Sequence, residues 1–346
     1  MEQAVSKRAL ILGIAGQDGS FLADILLEQG FEVHGFYRRT SNSITLPRVE
    51  HLRDRITLHQ GDVTDYASLD RVVRDVAPHW VLNEADQDHV GFSHATPLYS
   101  VQVTYGGVAN LLEVVRRWQE SPRQAGTAPR IFQPCSATMF DPKQNAKGDW
   151  RSKDYEEWMP CDELTCVKPM SPYACAKTAA YALCGFYRQQ HGLHVVCGIL
   201  FNHDSPRRGG DYLLQKIARE AKLVAAGKLD AVTVGSLDLK VDIGYAREFM
   251  AGAVKLMELP EAGDYVLGTG KAVRIGDLVA DALYAAGVES VRGFIPQGYV
   301  KVDPAFRPGK MVELIADCAK ARAAIGWEPK WDALRVLRLL MEKEEG

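Results

Sequence analysis

The sequence predicts an α/β protein built on a doubly wound parallel sheet, with a smaller C-terminal part laid over it. Three observations predict this. Short apolar strands alternate with helical apolar spacing through residue 200, three glycines stand at the first strand–helix junction, and the alternation fades from residue 201 onward.

Each element follows in turn. "RALILGI" is a short apolar run of the kind a parallel sheet buries on both faces. "GSFLADILLEQG" has helical spacing and a terminal glycine, and "FEVHGFY" returns as a second strand. "ITLHQGDV" is the third strand, "ASLDRVVRDVA" a helix and "WVLNEA" the fourth strand. "GGVANLLEVVRRWQ" is helical and "RIFQPCS" the fifth strand. "PYACAKTAAYALCGFYRQQHG" reads as a long helix, followed by the strand "HVVCGILF". Strand–helix repeats with short joins wind a parallel sheet, because the crossovers are right-handed. Pro and Arg interrupt the pattern in "NHDSPRRGG", and the tail "CAKARAAIGWEPKWDALRVLRLLMEKEE" is helical again. Residues 1–200 and 232–260 are expected to form the dinucleotide-binding domain, and 201–231 and 261–346 the smaller substrate-binding part.

Composition narrows the class. The 346 residues are 25% charged and 47% hydrophobic with a formal net charge of −3, which points to a globular protein without a nucleic-acid or membrane partner. No apolar run nears the roughly 18–20 residues that span a bilayer. Seven scattered cysteines form no C-x-x-C pair and no metal-ligand cluster, so they read as reduced core residues of a cytoplasmic protein with no metal.

"LILGIAGQDGS" places Gly13, Gly16 and Gly19 between the first strand and the first helix. Glycine is needed where the chain turns tightly and where backbone must approach a pyrophosphate, and the helix then offers free N–H groups to the phosphates. This is a Rossmann arrangement, and Gln17 and Asp18 fall within it. At the end of the second strand an acid would select a free ribose hydroxyl, whereas arginine accommodates a 2′-phosphate. Arg38 and Arg39 stand there, so NADP is favoured over NAD. Asp62, in "GDV" after the third strand, is placed to meet the adenine.

"SPYACAK" sets Tyr173 and Lys177 four residues apart on one helix face. A phenol of pKa near ~10 is a poor base at neutral pH until a neighbouring ammonium favours its phenolate. Tyr173 can then take a sugar hydroxyl's proton while hydride leaves the same carbon. Ser136, at the end of the fifth strand, is the third member, hydrogen-bonding the reacting oxygen.

At this point the chain resembles the extended short-chain dehydrogenase/reductase superfamily, and within it the GDP-mannose 4,6-dehydratase branch. "GIAGQDGSFLADILLEQGFEVHGFYRRTS", "RVEHL", "GDVTD", "SPYACAK" and "GILFNHDSPRRGG" carry the likeness, and "VDPAFRPGK" and "IGWEP" extend it along the chain. The resemblance implies a nucleotide-diphosphate sugar as substrate and self-association as a homotetramer or homodimer. It implies cofactor contacts from Gly13, Gly16, Gln17, Asp18, Gly19, Arg38, Arg39, Asp62, Val63, the 84–88 segment, Tyr99, Lys177, His203 and Arg208. Substrate contacts are expected from Asp88, His89, Ser93, Thr138, Asn202, Lys216 and Arg307.

The departures bear on the reaction. The branch pattern Thr-Ser-Glu falls on Ser136, Ala137 and Thr138, so the carboxylate that moves protons at C5 and C6 is replaced by a hydroxyl. "CSATMF" instead resembles the UDP-galactose 4-epimerases, which need no second acid. "NEADQDHV" adds Asp86 and Asp88 near the sugar, and a long segment carries Trp150, Tyr155 and Trp158 as a lid or a surface loop. Val241 and Lys310 replace an Arg and a Glu of the branch. The reading from sequence is therefore a nucleotide-sugar 4-epimerase that oxidises and re-reduces C4 with Tyr173, Ser136 and Lys177. The alternatives are a 4,6-dehydratase taking its acid from Asp88, Asp162 or Glu163, a net C4 dehydrogenase or ketoreductase, and a cofactor-binding sensor without catalysis.

Overall fold

A computed structural model of the chain describes residues 6–39, 46–121, 128–141, 160–289, 291–303 and 313–342. It divides into two compact units, Met1–Met139, Val167–Leu200 and Met250–Tyr265 in one and Phe140–Cys166, Phe201–Phe249 and Val266–Gly346 in the other. Compared with the division read from sequence, residues 140–166 and 232–249 fall in the second unit and 261–265 in the first.

The first unit holds β1 (Arg8–Leu12), α1 (Gln17–Glu28), β2 (Glu32–Tyr37), β3 (Ile56–Gln60), α2 (Tyr66–Val76) and β4 (Trp80–Asn83). There follow α3 (Val90–Ala95), α4 (Pro97–Ser100), α5 (Gly107–Gln119), β5 (Arg130–Ser136), α6 (Pro172–His191) and β6 (Val195–Leu200). A seven-stranded sheet runs in the order Asp264–Leu267, β6, β5, β4, β1, β2, β3. All pairings that join β1 to β6 are parallel. Residues Ala9–Leu12 of β1 and Val195–Cys197 of β6 are fully buried, which is why these strands are unbroken apolar runs rather than alternating ones.

Strand order reverses beside β1, whose neighbours are β2 and β4. Such a reversal opens a crevice at the carboxyl ends of the strands, where ligands of doubly wound sheets bind. The Gly-rich turn after β1 and the 84–88 segment after β4 both lie there. At the opposite ends, arginines close helix C-termini. Arg8 donates to Val76 O and Ala77 O of α2, and Arg130 to Met257 O and Leu259 O, satisfying carbonyls that no helical N–H reaches.

In the second unit the helices Leu213–Ala225, Ile275–Ala285 and Ala333–Glu342 bury Ile217, Leu278 and Leu337 in one core with Val232 and Val234. Its polar keystone is Asp242, only 2% exposed. Its carboxylate accepts from Thr269 N at 3.0 Å, the Thr269 hydroxyl, Gly270 N at 3.0 Å and Ala316 N at 3.1 Å. Asp242→Asn turns an acceptor into a donor against these N–H groups and is expected to cost about 3 kcal/mol in urea unfolding.

All seven cysteines are unbridged thiols. Among the described residues no helix is long and apolar enough to cross a membrane, and no group of three His, Cys, Asp or Glu is arranged for a metal ion.

Candidate active site

The Gly-rich turn is built as the sequence implies. Gly13 has φ +77°, and a side chain there would lie 2.6 Å from Glu84 O. A Cβ on Gly19 would lie 2.4 Å from Gly13 O, so both positions admit only glycine without backbone movement. Gly16 caps α1, and the buried Gln17 amide donates to Asp18 Oδ1 at 3.0 Å. Arg48, from the "RVEHL" stretch, donates to Ala15 O at 3.0 Å and pins the turn from outside.

The other residues assigned to the cofactor divide into groups. Arg38 donates to the Tyr99 hydroxyl and lies over its ring, 5.9 Å from the centroid, so these two are brought together, while Arg39 is exposed beside them. Asp62 accepts from Thr64 N at 2.9 Å and its hydroxyl at 2.8 Å, and Val63 is buried with its carbonyl held by Asn110. His203 and Arg208 belong to the second unit, where His203 stacks on Phe249 at 4.8 Å and the Arg208 guanidinium lies 3.7 Å from the Tyr212 ring centre.

Glu84, which opens the 84–88 segment assigned to the cofactor, supplies a test of cofactor fit. Its Oε1 atom is buried and meets no hydrogen-bond donor. Burial and the adjacent Asp18 push this carboxyl well above the ordinary carboxylate range. A lone buried acceptor beside the Gly-rich turn fits the hydroxyl of a dinucleotide ribose.

The side chains assigned to catalysis come together around the start of α6. Ser171 caps that helix and Pro172 begins it, with Tyr173 and Lys177 facing inward and buried. Lys177 Nζ donates to Pro134 O at 2.8 Å and pairs with Asp86 at 2.8 Å. Asp86 was expected to add charge near the sugar; its carboxylate pairs with Lys177 and accepts from the Thr104 hydroxyl. Thr104 is delivered by a wide helical turn, Val101–Gly106, with π-type bonding. Sequence spacing gave no sign of that turn. Burial pushes the Tyr173 phenol above the ordinary tyrosine value, Lys177 pulls it down, Asp86 and Asp88 push it up, and a Ser136 hydrogen bond pulls it down.

Thr138 N donates to Ser136 Oγ at 3.2 Å, and the two hydroxyls lie 2.9 Å apart. Ser136 also pulls the Tyr173 phenol down, so the hydroxyls of Thr138, Ser136 and Tyr173 gather at one place. The residues assigned to substrate are more dispersed. Asp88 is exposed and its charge acts on Tyr173. His89 caps α3 by accepting from Phe92 N at 2.9 Å. Ser93 is fully buried, donating to Val90 O and accepting from Tyr173 N, which is an anchor for α6 rather than a surface open to a sugar. Asn202 is exposed, and Lys216 donates to Thr233 O beside Glu220. Val241 is buried, paired with Val273. Arg307, Lys310, Trp150, Tyr155 and Trp158 lie outside the described residues.

A family model for GDP-mannose 4,6-dehydratase matches residues 10–340. The chain belongs to the GDP-mannose 4,6-dehydratase family. It is thus an NAD(P)-dependent enzyme of the nucleotide-sugar epimerase/dehydratase class. Members of the GDP-mannose 4,6-dehydratase family that it resembles include one from Sinorhizobium fredii, 34% identical over 361 residues, covering 98% of this chain and 96% of the relative. Another, from Sordaria araneosa, is 36% identical over 338 residues, covering 94% of this chain, which spans only 58% of that relative's length. Among solved structures, a UDP-glucose 4-epimerase of Thermus thermophilus in complex with NAD superposes with a TM-score of 0.77 at 22% identity, covering 97% and 99% of the two chains, a likeness of fold.

Proposed function

We propose that the protein oxidises a nucleotide-diphosphate sugar at C4 and then expels water, giving a 4-keto-6-deoxy sugar, with Tyr173 as the base at C4 and Asp88 as the acid–base group. One observation carries this over the epimerase expectation. Of the three carboxylates that could replace the acid missing at Thr138, Asp88 is the one whose charge acts on the Tyr173 phenol. Asp162 Oδ1 accepts from Leu164 N at 3.0 Å and from the Thr165 hydroxyl, and Glu163 Oε1 accepts from Val266 N at 2.7 Å. Asp88 is exposed, and its charge reaches the Tyr173 phenol. The full-length likeness to enzymes named as GDP-mannose 4,6-dehydratases supports the same choice.

The nicotinamide cofactor, when bound, supplies the hydride acceptor. Gly13, Gly16 and Gly19 would hold its pyrophosphate, Glu84 a ribose hydroxyl, and Arg38 and Arg39 a 2′-phosphate, which favours NADP. Tyr173 takes the C4 hydroxyl proton as hydride leaves C4. The new ketone acidifies C5, Asp88 takes that proton and returns one to the departing C6 hydroxyl, and water leaves. Hydride would return from the bound cofactor to C6, and the proton that Tyr173 took from the C4 hydroxyl is the one available to C5, so the net change is loss of one water.

A second reading, the 4-epimerase, is favoured by the gathered hydroxyls of Thr138, Ser136 and Tyr173, which serve oxidation and re-reduction without any carboxylate. Incubation with a panel of GDP-, UDP- and dTDP-sugars followed by mass spectrometry separates the two. Loss of the mass of one water is the expected result. An isomer of unchanged mass establishes the epimerase instead, and stoichiometric consumption of free cofactor a net dehydrogenase.

A further inference from the structure

Between α4 and α5 the helix widens into the π-bonded turn Val101–Gly106. Such turns are rare and gather at functional sites, where a neighbour demands a residue that α-helical spacing would not deliver. Here the demand comes from the segment after β4, which carries Asp88. The fully buried Ser100 hydroxyl, at the start of the turn, donates to Gln87 Oε1 at 2.8 Å. The Thr104 hydroxyl, within the turn, donates to Asp86.

Gln87 carries the hold across to the other side of Asp88. It is 8% exposed, and its Nε2 donates to His89 O at 3.2 Å while its backbone N–H donates to Asp86 Oδ1 at 2.7 Å. The amide has one workable orientation, because turned over it would set Oε1 against the His89 carbonyl, and two acceptors cannot bond. His89 is fixed in turn, since its carbonyl also accepts from Ser93 N at 3.1 Å and its ring caps α3. Asp88 therefore stands between Gln87, anchored to Ser100, and His89, anchored to α3, and is itself exposed.

Placement is what such a carboxylate needs. A group that takes a proton from one carbon and hands it to the oxygen on the next must lie within hydrogen-bond reach of both, and a displacement of about 1 Å costs on the order of 10²-fold in rate. An acid on an untethered loop moves by that much or more.

We propose that Gln87 is a positioning residue whose side chain, oriented by Ser100, clamps the backbone across Asp88 and so places that carboxylate for the expulsion of water. This rests on the assignment of Asp88 to the proton path, and it deepens that assignment by naming what holds the acid in place.

Gln87→Leu removes both side-chain bonds with an apolar group of similar size. Gln87→Glu keeps an acceptor for Ser100 while setting a carboxylate oxygen against His89 O. Both are expected to lower kcat for dehydrated product by about 10–10²-fold with KM near the wild-type value. Reduced-cofactor absorbance should still form in a single turnover at the wild-type rate. Amide exchange read by mass spectrometry should quicken across residues 84–92 of Gln87→Leu and nowhere else. Oxidation and dehydration falling together, exchange that stays at the wild-type rate, or exchange that quickens throughout the chain each overturns the proposal. Loss of cofactor from the purified variants overturns it too, by placing Gln87 in cofactor binding. Should Gln87→Leu fail to fold, Ser100→Ala removes a single hydroxyl and carries the same readouts. The exchange measurement uses no substrate, so it decides the clamp even where no nucleotide sugar loses water, and that failure counts against the proposed reaction alone.

Discussion

Tyr173→Phe is expected to lower turnover by about 10³-fold while the purified protein keeps its cofactor. The substitution removes one oxygen. That oxygen receives the Ser136 hydrogen bond and faces Lys177, whose ammonium lies 5.8 Å from the ring centroid. The fold makes no other demand on it, because the anchor between this residue and α3 is the Tyr173 backbone N–H donating to Ser93 Oγ. Loss of a single buried hydroxyl costs about 1 kcal/mol of stability, too little to unfold the chain. The effect therefore belongs to the chemical step, since without the phenol no group is placed to take the C4 hydroxyl proton as hydride departs. Single-turnover formation of reduced cofactor absorbance checks this directly. Survival of that absorbance at the wild-type rate would assign the base to another residue, and loss of cofactor from the purified variant would show that the hydroxyl serves binding.

Much of this arrangement could be read from sequence, and what could not has a common cause. β5 spans Arg130–Ser136 and α6 spans Pro172–His191, where the apolar run "RIFQPCS" and the helix signals of "SPYACAK" place them. These are strong local patterns, since Ser171 caps α6, Pro172 preorganises its first turn and Gly192 closes it in the left-handed region. The glycines of the cofactor turn were legible for a similar reason, because their backbone conformation is a property of the chain itself. The short strands from residue 202 onward were not, since two- and three-residue strands carry no periodicity. Nor was the pairing of Asp86. Whether an acid after a strand meets a sugar, a ribose or a lysine depends on what other segments bring to it. For Asp86 that partner is Thr104, carried by a π turn that no spacing rule announces. Ser93 and His89 also have structural tasks that spacing did not announce, since Ser93 holds α6 and His89 starts α3.

Asp88→Asn carries the second large effect, and it separates the two halves of the reaction. The variant keeps the size and polarity of the side chain but cannot take a proton from C5 or return one to the C6 hydroxyl. Dehydrated product is expected to fall by about 10²–10³-fold. Oxidation at C4 is expected to continue, because Tyr173, Lys177 and Ser136 are untouched and because removing the Asp88 charge, which pushes the phenol up, leaves a larger fraction of Tyr173 ionised and ready to take a proton. The sign fixes the diagnostic: reduced cofactor and keto-sugar should accumulate in about one equivalent per active site, with the acid limb of this half-reaction moved to lower pH. A variant that loses oxidation and dehydration together would place Asp88 in sugar binding. One that still releases product lighter by one water would remove it from the proton path. One that interconverts isomers of equal mass at the wild-type rate would leave the hydroxyls of Thr138, Ser136 and Tyr173 as the whole of the machinery, and the enzyme an epimerase.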